Sequence, residues 1–105
     1  MDIHWKIKSF ESLSVNELYD ILKLRSTICV VEQNCVYLDL DGKDKVALHL
    51  LGEFEGKIVA YSRLFKPRIS FDNASIGRVV VDADFRSRKW GHDLMREAIA
   101  GIELY

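Results

Sequence analysis

The chain has 105 residues, of which 49% are hydrophobic and 30% charged, enough apolar material for one domain with its own core and too much for a disordered tail. Fifteen Lys and Arg against sixteen Asp and Glu leave a formal net charge of −1, which argues against general electrostatic binding to nucleic acid or an anionic membrane. The apolar run Ile28-Cys29-Val30-Val31 is far too short for a bilayer span, and the opening Met1-Asp2-Ile3-His4-Trp5-Lys6 lacks the basic-then-apolar order of a secretory signal.

From His4 to Phe10, Trp5 and Ile7 alternate with Lys6 and Lys8, which predicts a half-exposed strand. Ser14 followed by Glu17 is a capping-box pattern. It opens a predicted helix whose apolar positions are Val15, Leu18, Tyr19, Leu22, Ile28 and Cys29, widened by Ile21 and Leu24 and ending near Val31. Residues 32–44 form a loop with the turn signal Asp41-Gly42. Cys29 and Cys35 make no CxxC pair, and His4, His49 and His92 stand at no ligand spacing from them. Reduced thiols in a cytoplasmic protein without a metal are expected.

Val46–Phe54 and Lys57–Phe65 read as two strands joined by the tight turn Glu55-Gly56. Pro67 stops the second strand, and Asp72-Asn73 marks a further turn. Ala74–Val81 is a fourth strand, Asp82–Lys89 a polar loop, and the positions Leu94, Met95, Ala98, Ile99 and Ile102 predict an amphipathic helix from Gly91 to the end. The order β-α-β-β-β-α describes a mixed α/β (α+β) domain on a mostly antiparallel sheet, with residues 1–105 as one unit.

Most chemistry is concentrated where the fourth strand gives way to the last helix. Arg86, Arg88 and Lys89 precede Gly91 at a helix start, where backbone N–H groups and the dipole favour phosphate. Arg86-Ser87-Arg88-Lys89-Trp90-Gly91 resembles the acyl-carrier motif of the GNAT N-acetyltransferases, in which Arg or Gln is followed by Gly three residues on and by Gly or Ala two further. The fit is at Arg86 and Gly91, with Lys89 in place of the central Gly. The run from Val30 to Asp44, with Ala60–Leu64 and Ile76–Val79, is similar to the ElaA-like branch of that family.

The resemblance implies the front part of the acyl-CoA N-acyltransferase fold and transfer of acetyl from acetyl-CoA to an amine. The pantetheine arm would lie along Val79, Val80 and Val81, an N–H at about Val80 facing the thioester oxygen. Arg86, Ser87, Arg88, Lys89, Trp90, Gly91 and His92 would take the diphosphate. Glu32 is the first candidate base. His49 is the second, or else a hydrogen-bonded structural residue of its strand. Gln33, Tyr37, Asp39, Arg63 and Arg78 are expected on the acceptor side, with Tyr37 either lining the acceptor pocket or packing the loop.

Glu32, Asp39, Asp41 and Asp44 against Lys43 make residues 32–44 an acidic lip that would attract a cationic amine; an ordinary solvated loop fits the same composition. Arg63 and Arg78 either pair with that loop or reach solvent. Members of the family continue with a fifth strand and further elements, so the chain reads as truncated, naturally short, or completed by a second copy in a homodimer. An alternative is a catalytically incomplete module that only binds CoA.

Overall fold

The computed structural model describes residues 3–32, 39–69, 73–88 and 90–104. Four strands, β1 (His4–Ser9), β2 (Leu48–Phe54), β3 (Lys57–Phe65) and β4 (Ser75–Val81), form a sheet in the order β1-β2-β3-β4 with every neighbouring pair antiparallel. Helix α1 (Val15–Arg25) lies between β1 and β2 in the chain, and α2 (Trp90–Leu104) follows β4. The β2–β3 turn places both Glu55 and Gly56 at positive φ, 52° and 78°, the geometry whose twist matches that of the flanking strands. No helix among the described residues is long and apolar enough to cross a membrane.

Side-chain alternation along the strands explains the two-sided packing. Leu51, Tyr61 and Val80 point to one face and meet Ile21, Leu24, Ile28 and Cys29. Their neighbours Leu50, Ala60 and Leu64 point to the other and meet Leu94 and Ala98 of α2, with Trp5, Ile7, Ile76 and Val81 alongside. Gly101 belongs to this contact: a Cβ there would stand 2.5 Å from Ile7 Cδ1. Gly52 is needed in the same sense, because a Cβ would lie 2.7 Å from the Trp5 ring.

Ser14 caps α1 as expected. Its hydroxyl accepts from the Glu17 amide at 3.0 Å while the Glu17 carboxylate accepts from the Ser14 amide at 2.9 Å. Lys6 and Lys8 of β1 reach the same carboxylate at 2.8 and 2.9 Å, tying the strand to the helix start.

Two predicted details are corrected. The buried face of α1 runs through Ile21, Leu24 and Arg25 and not through Val15 and Tyr19, which are exposed; the helix is rotated so that an arginine sits inside. On α2, Met95 and Ile99 are exposed, and Trp90 and Gly101 take inward positions instead. The helical path of α1 continues to Glu32 as a π-helical segment, Ser26–Glu32, a widened turn frequent at functional sites.

Candidate functional site

β4 is the last strand of the sheet, and among the described residues nothing pairs with its outer side. The Asp82 amide donates to Val59 O at 2.7 Å. In an antiparallel ladder the residues facing the partner alternate. With Val80 opposite Tyr61 and Val81 opposite Ala60, the Val80 amide therefore turns inward to β3 and the Val81 backbone outward. Arg86 agrees with this, since its Nε donates to Val81 O at 3.2 Å. The outward amide expected at about Val80 thus belongs to Val81, while the Val80 side chain is buried against α1.

Residues Ala83–Arg88 turn as a 3-10 segment. Asp82 organises the turn: its carboxylate accepts from the Asp84 amide at 3.0 Å and its carbonyl from the Phe85 amide at 2.9 Å. Those two amides are consumed inside the chain. The first turn of α2 lies beyond them, with His92 exposed and Gly91 beside Val81. Among the described residues a Cβ on Gly91 would meet only Val81 Cγ2, at 3.9 Å, and its φ is not positive. Neither packing nor backbone geometry therefore requires a glycine in this helix, where glycine costs about 0.5–1 kcal/mol relative to alanine.

Trp90, which the resemblance places among the diphosphate contacts, has its ring turned into the fold instead. The residue is 6% exposed, its indole stacked on Phe85 at 5.5 Å and tilted against Phe54 at 5.1 Å; it is the floor beneath the loop. Ser87 and Arg88 contribute backbone to the turn, and Lys89 lies outside the described residues.

On the α1 face, further back along β4, the acidic loop meets three arginines. Arg25, fully buried, places Nη1 2.7 Å from Asp44 Oδ1 and Nε 3.1 Å from Asp39 Oδ2. Arg63 clasps Asp41 with both Nη atoms at 2.8 Å and reaches Asp44 at 3.2 Å. Arg78 donates from Nε to Asp39 Oδ1 and from Nη2 to Asp39 O, each at 3.0 Å. Of the two alternatives for Arg63 and Arg78, pairing is the one observed. The Arg63 hydrogen bond holds the Asp41 carboxyl well below the usual carboxylate range, against some burial.

The expected acidic lip is corrected accordingly. Asp39, Asp41 and Asp44 are met by three guanidinium groups, and two of these carboxylates are buried, so they do not face solvent as surplus negative charge. Arg25 escaped the sequence reading. Its signal was its place four residues after Ile21 and three before Ile28, on the face that packs inward.

His49 occupies the same face. Its Nδ1 is 2.6 Å from Tyr61 Oη and its Nε2 is 2.9 Å from Asp44 O, with 1% of the residue exposed. Burial lowers its pKa and raises that of Tyr61. Both ring nitrogens are taken up within the fold, the arrangement of a structural histidine, and the base role considered for it is corrected on that ground. Glu32 ends the π-helical segment; Gln33 and Tyr37 lie outside the described residues.

A model of the acetyltransferase (GNAT) family matches residues 14–101. The chain belongs to the GNAT family. Among curated relatives, protein ElaA of Escherichia coli is 39% identical over 99 residues, covering 92% of this chain and 65% of that protein. A UPF0039 protein of Schizosaccharomyces pombe is 43% identical over 99 residues, covering 93% and 65%. The chain thus spans slightly less than two thirds of these relatives. Among solved structures, E. coli ElaA superimposes with a TM-score of 0.91 at 37% identity, over 99% of this chain and 72% of that one. An acyl-CoA N-acyltransferase from Pseudomonas aeruginosa gives 0.90 at 38% identity, over 97% and 71%. The GNAT fold expected from the sequence is therefore the fold observed.

Proposed function

We propose that the chain binds acetyl-CoA along the open edge of β4 and serves the transfer of its acetyl group to an amine. The observation that carries this reading is the meeting of three groups at one point. The outward backbone of Val81, the guanidinium of Arg86 bonded to its carbonyl and Gly91 of α2 beside the Val81 side chain stand together. A diphosphate would fit beside Arg86 and the amides of the first α2 turn, and Ser87, Arg88, Lys89 and His92 are proposed as its further contacts. The pantetheine arm would then extend along Val79–Val81 as an added strand.

In this reading the amine nitrogen attacks the thioester carbon and forms the new C–N bond. Negative charge developing on the carbonyl oxygen is met by the Val81 amide. Glu32, directly or through water, takes the proton from nitrogen. The C–S bond then breaks, and the CoA thiolate leaves and takes a proton from solvent. Gln33 and Tyr37 would border the acceptor, and Asp39, Arg63 and Arg78 would shape that side of the site as a neutralised wall.

Calorimetry with acetyl-CoA tests the donor site. Arg86→Ala combined with Arg88→Ala is expected to weaken binding about tenfold or more with the melting temperature retained; unchanged affinity overturns the assignment. Thiol release with a panel of amines tests the chemistry. Binding without turnover would favour the second reading, a module that holds CoA without catalysis.

A further inference from the structure

Arg78 is one of three non-glycine described residues at positive φ, with φ of 50°, and the only one of the three inside a strand. The pairing explains its position. Tyr61 stands opposite Val80 and Arg63 opposite Gly77, so Arg78 and Val79 together oppose Ser62 in a β-bulge. The extra residue is absorbed in full: Ile76 and Val81 are five apart, yet both pack on the α2 side, which an unbroken strand forbids.

A left-handed residue in a bulge is ordinarily glycine, and a glycine could not do what this side chain does. Arg78 grips Asp39 at its carboxylate and at its backbone carbonyl, each at 3.0 Å. Arg25 meets the other carboxylate oxygen of Asp39 at 3.1 Å and its carbonyl at 2.8 Å. Asp39 is therefore fixed between α1 and β4. On the other side of the bulge the Ser62 hydroxyl donates to Gly77 O at 3.0 Å.

We infer that Arg78 is a positioning residue. Clamped by Asp39, it holds the bulge that sets how the backbone of Val79–Val81 faces the open edge, and so ties the acceptor-side loop to the donor strand. The inference rests on the reading of that edge as the acetyl-CoA site.

The test compares Arg78→Gly, which accepts the backbone conformation but deletes the clamp, with Arg78→Lys, which keeps the charge but not the two-pronged grip. The probes are acetyl-CoA and ADP, the latter carrying the diphosphate without the pantetheine arm. Both variants are expected to bind acetyl-CoA about tenfold more weakly or worse and ADP within about twofold of the parent. The amide protons of residues 79–81 should exchange faster in both.

Acetyl-CoA affinity within about twofold, or a parallel loss for both probes, overturns the inference. Should the parent chain bind neither probe, the proposed function falls. Amide exchange at residues 79–81 then still decides whether the clamp holds the bulge.

Discussion

Arg25 Nη1 and Asp44 Oδ1 stand 2.7 Å apart with the arginine side chain 1% exposed, so a helix places its cation inside the protein and against the loop that precedes β2. Removing one member of such a pair leaves the other charge buried with fewer partners. Arg25→Ala is expected to cost about 3–5 kcal/mol, which in a chain of this size lowers the melting temperature by on the order of 15 °C or more. A thermal melt that moves by only a few degrees would show that Asp39 and Asp44 are held well enough by Arg63 and Arg78 alone.

Acid should unfold the chain in two identifiable windows. Although burial opposes it, hydrogen bonds from Lys6, the Ser14 amide and Lys8 bring the Glu17 carboxyl down from 4.5 to about 2. A group lowered in the folded state supports stability above its unfolded pKa, and that support fades as pH falls from 4.5 toward 2. Burial lowers His49 from 6.5, so charging it in the unfolded chain draws off stability once pH drops below 6.5. Denaturant titrations of Glu17→Gln should be flatter than the parent between pH 4.5 and 2, with the slope that begins near 6.5 unchanged. Asp41, also lowered, keeps the variant from becoming wholly flat.

Two glycines give opposite expectations. Gly52→Ala drives a methyl to 2.7 Å from the Trp5 ring and 3.1 Å from Ala60 Cβ, an overpacking expected to cost about 1–3 kcal/mol. Gly91→Ala meets no such obstacle and should leave stability unchanged or raise it by about 0.5–1 kcal/mol. Under the proposed function the same substitution leaves acetyl-CoA binding within about twofold of the parent, because the motif that Gly91 fits takes Gly or Ala at this position and the methyl would make only an ordinary 3.9 Å contact with Val81. Chemical denaturation and calorimetry on the two variants separate these effects. A Gly91→Ala variant that binds acetyl-CoA about tenfold more weakly or worse would show that this position does not follow the motif.

Tyr61→Phe deletes the hydroxyl that stands 2.6 Å from His49 Nδ1. A buried ring nitrogen left without its partner costs about 1–3 kcal/mol. Urea denaturation should register that loss, and a change much below it would mean that the imidazole finds another partner.

Local signals in the chain were readable and long-range ones were not. The Ser14 and Glu17 pair, the alternation of Trp5 and Ile7 with Lys6 and Lys8, and the Glu55-Gly56 turn each depend on a few adjacent residues, and each has the expected geometry. The rotation of α1 is not legible in the helical spacing, because a charged Arg25 taken by itself belongs at the surface. What makes Arg25 an interior residue is Asp39 and Asp44, contributed by a loop far along the chain. The bulge at Arg78 left no mark of its own: Val79, Val80 and Val81 suit a regular strand, and only the pairing with β3 reveals the additional residue. Of the residues proposed for the site, Arg86 and Gly91 stand out in the sequence by their spacing. The burial of Trp90 depends on Phe54 and Phe85, and the outward turn of Val81 on the register set by Val59 and Asp82.

The left-handed turn at Glu55 and Gly56 also bears on the order in which the sheet assembles. β2 and β3 meet across two residues, so their pairing requires little loop closure, whereas β1 must find β2 across the whole stretch from Ser9 to Leu48. Substitutions in the hairpin should therefore slow folding, and those in β1 should mainly hasten unfolding. The N-terminal strand would be the last to join and the first to leave.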